Sequence, residues 1–147
     1  MPYWKLYYHL IWVTHERQPL IGRDEEAVIK TTFYAKAAEM RVTLHAIGIV
    51  ADHVHVVASI PPAVSVAICV KHLKGASSRA VNVQRHPNRL FRWEEGYGAL
   101  TLGERSLAQV VAYVQNQPRH HQEGTAVGLY ETMDASATAE SSSDDFK

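Results

Sequence analysis

Cysteine is almost missing from this chain: Cys69 is the single thiol in 147 residues. One cysteine cannot close an internal disulfide, so a disulfide scaffold is excluded and a reducing, cytoplasmic setting is the default expectation. Long hydrophobic runs are missing too. The longest apolar stretch, from Val56 to Val70, is broken by Pro61, Pro62 and two serines and is too short to cross a bilayer. The chain opens with Tyr3, Trp4 and Lys5 in place of a basic stub and an apolar run, so no secretory leader is read there. There is no internal repeat, and no glycine-rich phosphate loop that would point to a nucleotide cofactor. Acidic groups are absent from one region: between His53 and Trp93 there is no Asp or Glu, against six basic residues, Lys71, Lys74, Arg79, Arg85, Arg89 and Arg92.

What is present is ordinary for a soluble globular protein: 46% hydrophobic and 20% charged residues, at a length of about one domain. The zero net charge conceals an asymmetry. Residues 131–147 hold Glu131, Asp134, Glu140, Asp144 and Asp145 against Lys147, which leaves 14 basic and 10 acidic groups, a charge of +4, on residues 1–130. We therefore expect one folded domain over 1–130 and an acidic, Ala/Ser/Thr-rich, disordered tail over 131–147. A local positive field such as that between His53 and Trp93 suits a phosphate backbone; it also suits a merely uneven solvated surface.

Periodicity orders the rest. Residues 3–13 are aromatic and β-branched and read as a strand with Trp4, Leu6, Tyr8, Leu10 and Trp12 on one face and Tyr7 and His9 on the other. Asp24 is a plausible N-cap for a helix carrying Ile29, Phe33, Ala37 and Met40 to about Met40. Residues 42–50 form a second strand. After the tight connection Ala51-Asp52, in which Asp52 reads as a turn residue, the segment His53 to Ile60 returns antiparallel. Alternation there places His53, His55, Val57 and Ser59 on one face and Val54, Val56, Ala58 and Ile60 on the core face. Two imidazoles two residues apart can converge on a divalent cation, or stand as ordinary polar residues on a solvated face; two ligands do not close a metal site.

A second helix runs from near Ser65 to about Val81. Val66, Cys69, Val70, Leu73 and Ala80 lie on one side, with Lys71, Lys74, Gly75 and Ser78 opposite and Arg79 at the edge. Gly75 reads either as a close approach of another backbone, such as a nucleic-acid strand, or as a tolerated glycine on a solvated face. In the loop 82–96, Phe91 and Trp93 interleave with Arg89 and Arg92; they can stack on unpaired bases or staple the loop to the core. Lys71, Lys74, Ser78, Arg79, Arg89 and Arg92 are the candidate DNA contacts. Gly98 to Leu102 is a short strand, and a third helix from Glu104 through Gln117 has the core stripe Leu107, Val110, Val111 and Val114. Tyr113 and Gln117, four apart, share a face at the flank of that stripe, and Pro118 ends or kinks the helix. The order strand, helix, strand, strand, helix, strand is the split βαββαβ of ferredoxin-like α+β folds, with one further C-terminal helix.

These segments resemble a known family. Asp52-His53-Val54-His55-Val56-Val57 is similar to the His-hydrophobic-His motif of HUH endonucleases. Leu73-Lys74-Gly75-Ala76-Ser77-Ser78-Arg79, Gly96-Tyr97-Gly98-Ala99, and Tyr113-Val114-Gln115-Asn116-Gln117 with His120-His121 look like segments of the single-tyrosine transposases of the insertion-sequence 200/605 group. The likeness runs over about residues 6–125 in order. It implies a ferredoxin-like domain that cuts and rejoins single-stranded DNA, a Mg²⁺ or Mn²⁺ ion on His53, His55 and Gln117, and Tyr113 as nucleophile. It further implies a homodimer acting at DNA hairpins on element ends. Pro118 directly after Gln117 and the acidic tail depart from the shared pattern. Two other readings stand beside it: a domesticated HUH nuclease acting on palindromic repeats, and a non-catalytic single-stranded nucleic-acid-binding module.

Overall fold

The computed structural model describes residues 3–85 and 90–116. Arg89, Gln117, Pro118, His120-His121 and the acidic segment from 131 lie outside the described residues.

Four strands form one antiparallel sheet: β1 (Tyr7–Val13), β2 (Thr43–Val50), β3 (His53–Ser59) and β4 (Gly98–Leu102), in the spatial order β2-β3-β1-β4. Helices α1 (Arg23–Glu39) and α2 (Val66–Gln84) link β1 to β2 and β3 to β4, and α3 (Glu104–Gln115) follows β4. This is the ferredoxin-like order expected from the sequence. The two central strands, β1 and β3, are flanked on both sides and hold the most deeply buried residues.

Alternation along the strands divides the molecule into two apolar layers. Leu10 and Trp12 of β1 and Val54, Val56 and Ala58 of β3 face the two linking helices. There they meet Ile29, Phe33 and Ala37 of α1 and Cys69, Val70, Leu73 and Val81 of α2. On the other face α3 lays Val110, Tyr113 and Val114 on Ala46 and Val57, with Leu102, Leu107 and Val111 at the margin. A bulge between Leu44 and Ala46 makes His45 an extra residue in β2. The bulge shifts the alternation by one. Ile47 and Ile49 thereby enter the main core, and the small residues Ala46 and Gly48 stand beside Val57 and His55 on the α3 side. Room for imidazoles and for a helix on that face comes from those two small residues.

Several boundaries differ from expectation. The first strand begins at Tyr7, and Trp4 is exposed instead of joining the core face. The N-cap of α1 is Gly22, not Asp24: the Glu25 carboxylate accepts the Gly22 N–H at 3.1 Å and so satisfies one donor of the helix entry. Ser65 does cap α2, its hydroxyl accepting from the Ile68 N–H at 3.0 Å. That helix continues past Val81 to Gln84. The Asn82 side chain clamps the Phe91 backbone, accepting from its N–H at 2.7 Å and donating to its carbonyl at 3.0 Å, and this long-range pair outweighs the turn preference of asparagine.

Phe91 and Trp93 staple the 90–97 segment to the core. Phe91 is fully buried, edge-on to Trp93 at 4.8 Å and beneath the Arg85 guanidinium at 5.5 Å. Trp93 donates its indole N–H to the Ser77 hydroxyl at 2.9 Å. Truncation of a fully buried phenylalanine costs about 3–5 kcal/mol. Phe91→Ala is therefore expected to lower the melting temperature by roughly 10–20 °C in a thermal scan. A shift of only about 2 °C would show that the loop, and not the core, carries this side chain.

Candidate active site

The antiparallel register of β1 and β3 builds the site. Ile11 lies opposite His55 and Val57 opposite His9, so His9 and His55 are diagonal neighbours on the same face. Their rings stand 5.0 Å apart, and His9 Nε2 lies 2.8 Å from His55 Nδ1. His53, on the same face, is edge-on to His55 at 5.3 Å. All three histidines are buried. Burial pushes the His9 imidazole down to about 4, so it is neutral near pH 7.

Asp52 has a larger part than that of a turn residue. Its carboxylate accepts the Nδ1 proton of His53 at 2.7 Å, and its backbone carbonyl accepts from the N–H and the hydroxyl of Thr14, at 2.9 and 3.1 Å. The hydrogen bond from His53, with the Arg17 guanidinium nearby, holds the Asp52 carboxyl below the usual carboxylate range against partial burial. Arg17 Nε is 3.6 Å from the second carboxylate oxygen. An imidazole that gives its Nδ1 proton to a carboxylate carries its lone pair on Nε2, the form in which histidine ligates a metal.

Tyr113 reaches the same cluster from α3. Its ring is edge-on to His55 at 6.2 Å, and it is 6% exposed. It lies inside the small α3 cluster, not at its flank. The structure thus brings His53, His55 and Tyr113 of one chain together; Gln117 is outside the described residues. Among the described residues no three His, Cys, Asp or Glu are arranged to hold a cation. Two imidazoles with Nδ1 engaged fit a divalent ion whose remaining positions are filled by oxygen donors, so the donor chemistry present is compatible with the expected metal.

The basic candidates on α2, Lys71, Lys74 and Arg79, belong to the other layer, since α2 packs on the opposite face of the sheet. Lys71, Arg79 and Arg92 are exposed. Lys74 is half-buried and donates to the carbonyls of Glu94 and Gly96 at 2.7 and 2.8 Å, tying α2 to the turn before β4. Desolvation lowers its ammonium to about 8 against the pull of Glu94 and Glu95. Ser78 donates to the Gly75 carbonyl at 3.2 Å. A Cβ on Gly75 would meet nothing within 4 Å among the described residues, so no described backbone requires the glycine; it borders an open groove with Ser78, Leu90 and Arg92. Arg85, counted among the basic field, pairs with Glu25 at 3.0 Å and also donates to the Leu20 carbonyl.

His9 and Asp52 are the residues that sequence reading passed over as site members. Asp52 stands next to the His pair and was visible as part of the motif. His9 carries no local signal beyond being a polar residue at an alternate position of a central strand, on the face that α3 covers.

The fold and this cluster sit within a family of DNA transposases. Residues 2–117 match the family model described as "Transposase IS200 like", and the chain belongs to that family. The ISDra2 transposase TnpA of Deinococcus radiodurans is 32% identical over 120 residues, covering 78% of this chain and 85% of that protein. The transposase for insertion sequence element IS200 of Salmonella typhimurium is 28% identical over 134 residues, covering 86% of each. A crystal structure from Deinococcus radiodurans, assigned as a transposase, superposes with a TM-score of 0.62 at 30% identity over 79% of this chain and 93% of that one. The structure of a REP-associated tyrosine transposase bound to a REP hairpin superposes with a TM-score of 0.61 over 82% of this chain and 72% of that one; at 12% identity the likeness is one of fold. No helix among the described residues is long and apolar enough to cross a membrane.

Proposed function

We propose that this transposase-family chain cleaves and rejoins single-stranded DNA at hairpin-bearing element ends, as a homodimer, through a covalent tyrosine intermediate. The observation that carries it is the tyrosine ring 6.2 Å from His55 within one chain. A phenol, with a pKa of about 10, is a weak nucleophile at neutral pH, and a phosphodiester repels it. Mg²⁺ or Mn²⁺, when held by His53, His55 and Gln117, would withdraw charge from the scissile phosphate as a Lewis acid. The Tyr113 oxygen attacks phosphorus and gives up its proton. The bond from phosphorus to the 3′ oxygen breaks, and that oxygen leaves as a protonated 3′-OH. The 5′-phosphotyrosine keeps the ester energy, so the reverse attack by a 3′-OH rejoins the strand without a nucleotide cofactor.

Tyr113 is buried, so the strand gains access when α3 lifts from the sheet. The small α3 cluster, separate from the main core, suits such a movement. A non-catalytic binding module needs neither a carboxylate-oriented His53 nor a tyrosine packed on His55. The experiment is direct. Wild-type protein, a single-stranded oligonucleotide with an element-end hairpin, and Mg²⁺ or Mn²⁺ are expected to give an adduct that survives a denaturing gel. No adduct with any such substrate would remove the reading.

DNA touching both the α2 basic face and the His cluster has to pass around an edge or an end of the sheet. Lys71→Ala and Arg79→Ala are each expected to weaken binding and to lower the slope of log affinity against log salt by about one. Lys74→Met is expected to act through the fold, lowering the melting temperature, because its ammonium holds two backbone carbonyls. Filter binding over a salt series with parallel thermal scans checks both; salt slopes unchanged in Lys71→Ala and Arg79→Ala would take α2 out of the DNA interface.

A further inference from the structure

We infer that His9 is a positioning residue for the candidate cation site: it accepts the Nδ1 proton of His55 and so keeps the His55 lone pair on Nε2. The inference rests on the reading of His53 and His55 as the cation-holding pair.

Three observations carry it. The first is distance. His9 Nε2 and His55 Nδ1 are 2.8 Å apart. Two nitrogens sharing one cation at about 2.1 Å each stand about 3 Å or more apart, so this contact is a hydrogen bond and not half of a metal site. The second is polarity. In a bond between two imidazoles one ring donates and the other accepts. Were His9 the donor, neutral His55 would carry its proton on Nε2, and neither of its nitrogens could serve a cation without breaking the bond. A ligand role for His55 therefore requires His9 to accept. The third is the parallel with His53, whose Nδ1 meets the Asp52 carboxylate, a group that only accepts when ionised. Each histidine of the His-Val-His pair thus has its Nδ1 turned to a partner.

The difference between the partners follows from their surroundings. Asp52 lies at the turn into β3, partly open to solvent and near Arg17, where a carboxylate is tolerated. His9 lies in a central strand, buried between Tyr8 and Leu10 in sequence and opposite Val57. A carboxylate there would be a buried charge, whereas an imidazole accepts as a neutral group. The β1–β3 register fixes the contact, because it makes His9 a diagonal neighbour of His55 on the same face.

The test uses the full chain. In metal-free, ¹⁵N-histidine-labelled protein, long-range ¹H–¹⁵N spectra report which ring nitrogen of His55 carries the proton, with the signal assigned by its loss in His55→Gln. The proton is expected on Nδ1. His9→Phe, which cannot accept, is expected to lose that signature and to bind Mn²⁺ about tenfold to a hundredfold more weakly in calorimetric titration. His9→Gln, whose amide oxygen can accept the same proton, is expected to stay within about threefold of wild type. A His55 proton on Nε2 in the wild type overturns the inference whether or not any variant folds. So does a folded His9→Phe with wild-type Mn²⁺ affinity. If His53→Ala also leaves Mn²⁺ binding unchanged, the cation reading itself has failed, and this inference falls with it.

Discussion

Tyr113→Phe is expected to abolish the covalent adduct with a single-stranded oligonucleotide and to leave DNA binding as in the wild type. The substitution removes one oxygen and keeps the ring that packs on Ala46, Val57, Val110 and Val114 and stands edge-on to His55. Its cost in stability is about 1 kcal/mol, the worth of one hydroxyl's hydrogen bond. The fold, the α3 cluster and the surface charges are therefore retained, and any loss of adduct belongs to chemistry. Among the described residues, the imidazoles of His53 and His55 are turned by their Nδ1 partners, and Cys69 is buried in the opposite layer with burial raising its thiol to about 11, so none of these three is placed to substitute. Tyr34→Phe, on the exposed side of α1, is the control and is expected to leave the adduct unchanged. Denaturing gels with labelled oligonucleotide read both variants, with filter binding in parallel. An adduct of undiminished intensity in Tyr113→Phe would move the nucleophile elsewhere and leave the α3 tyrosine as a packing residue.

How far the site was legible depends on the range of the interaction. Alternation is local, so the two faces of the His53–Ser59 strand and the core stripe of α3 could be read from spacing. The element order led to the ferredoxin-like fold, and four short segments in sequence led to the family. What could not be read depends on offsets between distant segments. The β1–β3 register that places His9 beneath His55 is set by pairing across more than forty residues, and no local pattern encodes it. The bulge at His45 shifts the alternation of β2, which is why Ala46 and Gly48, not Leu44, stand beneath α3. Lys74 looks, on a helical wheel, like a solvated cation; it is held instead by two carbonyls of a turn some twenty residues on. Phe91 and Trp93 left two roles open in sequence, and only the Asn82 clamp and the Ser77–indole bond decide for the staple. Charge composition failed for the same reason. Arg85 and Lys74 belong to the positive field by count, but both are spent on internal partners, so the cations offered to a ligand are fewer than the tally implies.

Loss of either imidazole is the second large effect expected. His53→Ala and His55→Ala should each reduce cleavage about a thousandfold, the equivalent of about 4 kcal/mol of lost Lewis-acid stabilisation. Each should also weaken Mn²⁺ binding measured without DNA. The two variants differ in what they leave behind. His53→Ala uncovers the Asp52 carboxylate, which keeps Arg17 at 3.6 Å and remains near solvent, so the fold should tolerate it. His55→Ala removes a fully buried ring from between His9, His53 and Tyr113 and leaves the His9 nitrogen without its 2.8 Å contact, so a drop in melting temperature accompanies the loss of activity. His55→Gln, closer in volume, separates the two: stability should largely return while cleavage does not. Because imidazole nitrogen is a poorer partner for Mg²⁺ than for Mn²⁺, wild-type affinity should be higher for Mn²⁺, and excess EDTA should stop adduct formation with either. Wild-type cleavage that persists in excess EDTA, or a His53→Ala variant that still cleaves at the wild-type rate, would leave the imidazole pair as a structural feature of the sheet and require Tyr113 to be activated by some other group.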